Sequence, residues 1–118
     1  MPKTLSMVLW TTPYTFQNTS TAIKLAGAAL KKGHKVNLFA SGDGVHNFTC
    51  DQKAAGIPNA EKEFAELMKA GLNIELCGTC LNFRGIKPDN LLEDARPSTM
   101  KNLFEMINKS DILLTLEF

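Results

Sequence analysis

The chain predicts an α/β protein in which a parallel sheet carries helices on both faces. Three observations carry this. Runs rich in β-branched and large apolar residues alternate with segments of helical period along the 118 residues. Clusters of Gly, Pro, Asn and Ser separate them. The final run, Asp111 to Phe118 (DILLTLEF), is rich in leucine and suits the centre of a parallel sheet.

Thr4 to Trp10 (TLSMVLW) reads as the first buried strand, and Thr11 to Thr15 as a loop, because Pro13 removes a donor and restricts Thr12. A helix follows from Asn18 to Lys32. Ala22, Ile23, Ala26, Ala29 and Leu30 recur on one face, Lys31 and Lys32 occupy the last turn, and Gly33 follows as the C′ residue. Lys35 to Ala40 (KVNLFA) is the second strand, closed by Ser41-Gly42-Asp43-Gly44. Val45 to Ala55 reads as a short helix or an irregular segment. Asn59 is placed to cap a helix over Ala60 to Ala70, which buries Phe64, Leu67 and Met68 and stops at Gly71. Leu72 to Leu76 is the third strand. Lys87 to Pro97 is weakly patterned, with one short extra strand expected near Leu91-Leu92. A helix from Ser98 to Lys109 is expected to bury Met100, Leu103, Phe104 and Ile107 before the last strand.

Residues 1–118 read as one domain, long enough to bury about two-thirds of the unfolded surface without disulfide staples. Apolar residues make up 44% and charged residues 21%, an ordinary soluble composition. A net charge of +1 gives no electrostatic case for nucleic acid or an anionic membrane as partner. Apolar runs fall well short of the roughly 20 residues that span a bilayer. The start, Met1-Pro2-Lys3-Thr4, leads directly into a strand, so no signal peptide is expected, and the expected compartment is the reducing cytoplasm. There, transient or catalytic thiols are a better default than a permanent disulfide.

The three cysteines are Cys50, Cys77 and Cys80. Three thiols cannot make a four-thiol zinc site, and His34 and His46 do not stand at a finger-like spacing from the pair. No metal and no cofactor is expected: no Gly-x-Gly-x-x-Gly follows the first strand, and no Walker phosphate loop exists. A thioredoxin pattern fails too, since Leu76 precedes the pair and no proline lies within it.

Cys77-Gly78-Thr79-Cys80 begins where the third strand ends, the edge at which α/β proteins bind ligands. Right-handed crossovers bring three loops to that edge: Thr11 to Thr15, Ser41 to Asp43, and Cys77 to Cys80. The reactive form of cysteine is the thiolate, which a helix N-terminus or a nearby cation stabilises. Gly78 lets the backbone turn close to a sulfur. Arg84, four residues after Cys80, shares its face if the turn is helical. Such a pair suits dithiol–disulfide cycling or sulfur transfer. A cysteine is also a common small core residue, and that reading fits the isolated Cys50 better than the pair. Asp43 reads either as a turn residue or as a carboxylate facing the cysteine loop. His34 suits a helix C-terminus. His46 lies nearer the active edge. Trp10, Tyr14 and Phe16 surround the first loop, either lining a pocket or packing a subunit contact.

The run Leu76-Cys77-Gly78-Thr79-Cys80-Leu81-Asn82-Phe83-Arg84-Gly85-Ile86 resembles the YchN branch of the DsrE/DsrF-like family, whose motif reads Leu-Cys-x-Thr-Cys-x-x-x-Arg-Gly-Ile. The resemblance extends over the chain, through Pro13-Tyr14, Ser41 and Asp43, to the leucine-rich end near Leu116. It implies a three-layer α/β/α sandwich around a mostly parallel five-stranded sheet. It also implies homo-oligomers, often trimers or hexamers, and sulfur handling as a cysteine persulfide in relays serving tRNA thiolation or sulfur oxidation. Aligned back from Arg84-Gly85, Cys77 falls on the relay cysteine of the DsrE and TusD branch, whereas Cys80 matches the YchN branch alone.

The expectation is thus a cytoplasmic sulfur carrier, or sulfurtransferase, exchanging sulfur with donor and acceptor proteins. Cys77, Cys80 and Arg84 are its reacting and stabilising residues, with Gly78, Thr79, Asp43 and Tyr14 in support. Two other classes fit the same residues: a non-catalytic oligomeric binding subunit with a structural or metal-binding pair, and a dithiol redox sensor.

Overall fold

The computed structural model describes residues 1–117. In chain order it runs β1 (Thr4–Leu9), α1 (Asn18–Lys31), β2 (Lys35–Ala40), a 3₁₀ segment (Gly42–Phe48), α2 (Ala60–Lys69) and β3 (Asn73–Cys77). It continues with α3 (Gly78–Phe83), a 3₁₀ turn (Pro88–Asn90), β4 (Arg96–Ser98), α4 (Met100–Asn108) and β5 (Ile112–Leu116). The five strands form one sheet in the order β4-β3-β2-β1-β5. Every pairing is parallel, with Leu9 beside Ala40 and Ala40 beside Leu76, so three strand ends are level at one edge.

The helices start and stop where local chemistry dictates. The Asn59 side chain accepts from the Lys62 amide at the start of α2. Gly33 (φ +86°) and Gly71 (φ +116°) leave α1 and α2 in a conformation that suits glycine. On one face of the sheet, α1 and α2 bury Met7, Leu9, Val36, Leu38, Ile74 and Leu76 against Ala22, Ala26 and Phe64. On the other, α4 covers a smaller cluster of Val8, Phe39, Leu103 and Met106. From β1 to β4 much of that second face is polar. A hydrogen-bond ladder crosses it from Ser6 through Asn37, Asn73 and Glu75 to Ser98. Among the described residues no helix is long and apolar enough to cross a membrane.

Several sequence expectations shift. The short extra strand is Arg96–Ser98 rather than Leu91-Leu92. Leu91 and Leu92 are apolar because they are buried in the α1–α2 core, with Leu91 making an isolated antiparallel bridge to Thr49. Pro97 is tolerated because β4 is an edge strand. Ser98 therefore belongs to β4, and α4 begins at Met100 behind the Thr99 cap. Met100 and Phe104, expected inside, are exposed, while Leu103 and Met106 face the sheet. Gly42 to Phe48 is a 3₁₀ segment, Trp10 lies beyond β1, and Phe48 is fully buried. The leucine-rich β5 lies at an edge, not the centre, and its Ile112, Leu113 and Leu114 are exposed. The final position of the expected strand, Phe118, lies outside the described residues.

Candidate functional site

The site follows from strand register. Because β2 and β3 end level, the turn after β2 stands beside the chain leaving β3. Cys77 is the last residue of β3 and the cap of α3, its sulfur accepting the Cys80 amide at 3.4 Å. Gly78 is packed against β4: a Cβ there would lie 3.3 Å from the Ser98 carbonyl oxygen. Cys80, one turn on, points at the turn after β2. Its sulfur receives the Gly42 N–H at 3.2 Å and lies 3.8 Å from the Ser41 hydroxyl. Arg84 does share the face of Cys80, but its direct bonds go elsewhere. Its Nε and Nη2 donate to Asp43 at 3.0 and 2.8 Å, and its Nη1 donates to the Cys80 carbonyl at 3.0 Å. The guanidinium thus ties the turn after β2 to α3.

Three supports of this arrangement were not among the expected site residues. Gly42 adopts a left-handed conformation (φ +56°), and a Cβ there would lie 3.3 Å from the Trp10 ring. Gly44 passes so close to β1 that a Cβ would lie 2.0 Å from the Leu9 carbonyl oxygen. Asn47 is fully buried, donates to the carbonyls of Thr11 and Gly44, and accepts from the Thr19 hydroxyl. It pins the loop after β1, the 3₁₀ segment and α1 together. The Gly-Asp-Gly run was a visible signal for the turn; nothing distinguished Asn47 from a surface asparagine.

All three cysteines are free and half-buried. Burial pushes the Cys77 thiol up, as does its own donation to Cys80, and the amides of Cys80 and Thr79 only partly offset this. Burial acts on Cys80 in the same direction, but hydrogen bonds from Cys77, the Gly42 amide and the Ser41 hydroxyl, then the Arg84 charge, outweigh it and hold Cys80 below the usual thiol range. These donors favour the thiolate at Cys80 over that at Cys77.

The structure brings Cys77, Gly78, Thr79, Cys80, Asp43 and Arg84 together. It does not bring Tyr14: that hydroxyl donates to Gln52 and accepts from the Ala60 amide, bracing the start of α2 instead. Cys50 stands apart, donating to the Leu91 carbonyl at 3.2 Å, and burial together with Glu61 and Asp51 raises its thiol. His34 accepts from the Lys3 amide, at the opposite edge of the sheet. Among the described residues, no three His, Cys, Asp or Glu side chains converge as metal ligands.

A parallel sheet with two free thiols at its carboxyl edge, one of them met by backbone and hydroxyl donors that favour its thiolate, defines a thiol-site protein of the α/β/α sandwich class. Residues 4–116 match the DsrE/DsrF-like family, and the chain belongs to it. Its relatives include the uncharacterised protein MJ0989 of Methanocaldococcus jannaschii, 28% identical over 93% of this chain and 96% of that one. Another is the uncharacterised protein MK0008 of Methanopyrus kandleri, 27% identical over 91% of this chain and 88% of that one. In fold the chain is similar to the YchN protein of E. coli, with a TM-score of 0.89 over 98% of this chain and all (100%) of that one at 24% identity. It is also similar to MTH1491 of Methanobacterium thermoautotrophicum, a protein of unknown function, with a TM-score of 0.76 at 13% identity over 97% of this chain and 99% of that one.

Proposed function

We propose that this protein is a small sulfur-relay protein of the cytoplasm. The Cys77–Cys80 pair holds one sulfane sulfur as a persulfide, with Cys77 as the carrier, and surrenders it to a partner protein. The observation that carries this reading is the pair itself: two free thiols within reach of one another, with N–H and hydroxyl donors converging on a sulfur. A persulfide anion needs the same donors as a thiolate, and transfer is attack by a thiolate on sulfur. Membership of the DsrE/DsrF-like family supports the reading, and the reducing cytoplasm would keep the pair as thiols.

Assembly belongs to the same proposal. The protein forms homo-oligomers, trimers or hexamers, that cover the apolar β5 edge.

Mass spectrometry after incubation with a persulfide donor tests the function. The wild-type chain gains one sulfur atom, and a variant with both Cys77→Ser and Cys80→Ser gains none. A wild-type chain that gains none overturns the reading. A second reading, a dithiol redox sensor, is favoured by the mutual reach of the two sulfurs, and it predicts a reversible Cys77–Cys80 disulfide with no sulfur uptake.

A further inference from the structure

The two thiols of the pair open onto different surroundings. Cys77 lies on the α4 face of the sheet, against the cluster of Val8, Phe39, Leu103 and Met106. Cys80 packs toward the opposite core and presents its sulfur to the turn after β2. That turn supplies the Gly42 N–H at 3.2 Å and the Ser41 hydroxyl at 3.8 Å, whereas the Cys77 sulfur receives the longer Cys80 N–H at 3.4 Å. The charged groups around the pair are Arg84 and Asp43, and they bind each other at 2.8 Å. Their ion pair spans the turn after β2 and α3, the two segments that must stay in register for Gly42 to reach Cys80.

Resting on the persulfide reading above, we propose that Cys80 is the residue that first takes the sulfur, that Cys77 receives it from Cys80, and that Asp43 and Arg84 are positioning residues holding the Gly42 N–H on the Cys80 sulfur. The steps balance without oxidant or reductant. Cys80 thiolate attacks the terminal sulfur of a donor persulfide R–S–SH; the donor S–S bond breaks, its electron pair leaves on R–S⁻, and Cys80–S–SH forms. Cys77, releasing its proton to solvent, then attacks that terminal sulfur as the thiolate. The bond to Cys80 breaks, its electron pair leaves on the Cys80 sulfur, and the sulfane sulfur rests on Cys77 as Cys77–S–SH. Cys80 is thereby returned as the thiolate. The lower proton affinity of Cys80 suits both halves, since it is the nucleophile in the first step and the leaving group in the second.

Rapid-quench mass spectrometry with cysteine persulfide as donor tests the order on the full chain. In Cys77→Ser the sulfur that is taken up stays on Cys80 and is not passed on. Cys80→Ser loads at least about tenfold more slowly, because the thiolate that the Gly42 N–H favours is gone. Asp43→Asn slows loading and moves the ultraviolet thiolate transition to higher pH, and Asp43→Glu restores both. Wild type that loads while Cys80→Ser loads equally fast overturns the order alone. Wild type that takes no sulfur overturns the persulfide reading and the order with it. An unchanged thiolate transition in Asp43→Asn overturns the positioning role.

Discussion

Gly44 leaves no space for a side chain, since any Cβ would meet the Leu9 carbonyl oxygen at 2.0 Å. Gly44→Ala must push the turn off the end of β1, and overpacking of this kind costs about 1–3 kcal/mol. We expect a lower urea midpoint and, because Gly42 moves with the turn, slower alkylation of Cys80 at neutral pH. Asn47→Ala leaves two buried carbonyls and the Thr19 hydroxyl without their partner, a loss of about 1–3 kcal/mol that equilibrium unfolding would measure. pH acts more plainly on reactivity than on stability. Depression of the Cys80 thiol makes stability rise with pH between its folded and unfolded titrations; elevation of Cys77 makes stability fall between its unfolded and folded ones. The two slopes oppose, so iodoacetamide rates followed against pH are the sharper readout, with Cys80 reaching half its plateau at lower pH than Cys77. The motif spelled out Cys77, Cys80 and Arg84. It did not say which sulfur would ionise, because that depends on a backbone N–H delivered from Gly42, 38 positions earlier in the chain.

At the scale of elements, caps and punctuation were the most readable features. Asn59 and Gly71 bracket α2 as their chemistry requires, and Asn59→Ala should cost about 1 kcal/mol in a thermal or urea melt. The Asn59 side chain also donates to the Gln52 carbonyl, so loss of that bond adds to the loss of the cap. Apolar runs were less trustworthy. Leu91 and Leu92 fill a core without forming a strand, and Arg96–Ser98 forms one with almost no β propensity, because β3 offers an unpaired edge to it. Met100 and Phe104 share the helical period of α4, yet stand clear of a sheet face that α4 covers only in part. The site also departs from the general habit of open α/β sheets. The strand order reverses between β1 and β5, where ligands ordinarily sit, but the thiols gather at the ends of β2 and β3. What locates this site is the side chains of one strand-to-helix corner rather than the reversal point of the sheet.

Across the whole molecule, two helices cover one sheet face, and the nine-residue α4 partly covers the other. The alternation of strands and helices made this layering readable. The lateral position of β5 was not, since a leucine-rich strand reads the same whether a neighbouring strand or a neighbouring subunit buries it. Ile112, Leu113 and Leu114 are 51%, 41% and 37% exposed in the single chain, with Phe104 exposed on α4. If a second copy covers them, Leu113→Lys shifts the sedimenting species toward the monomer. In a chain that remains alone, the same change stays within about 0.5 kcal/mol and leaves sedimentation as it was. The open flank of β5 has a practical corollary for calorimetry. If neighbouring molecules complete this strand, unfolding is coupled to dissociation, and the melting temperature climbs as the sample is concentrated and sinks as it is diluted.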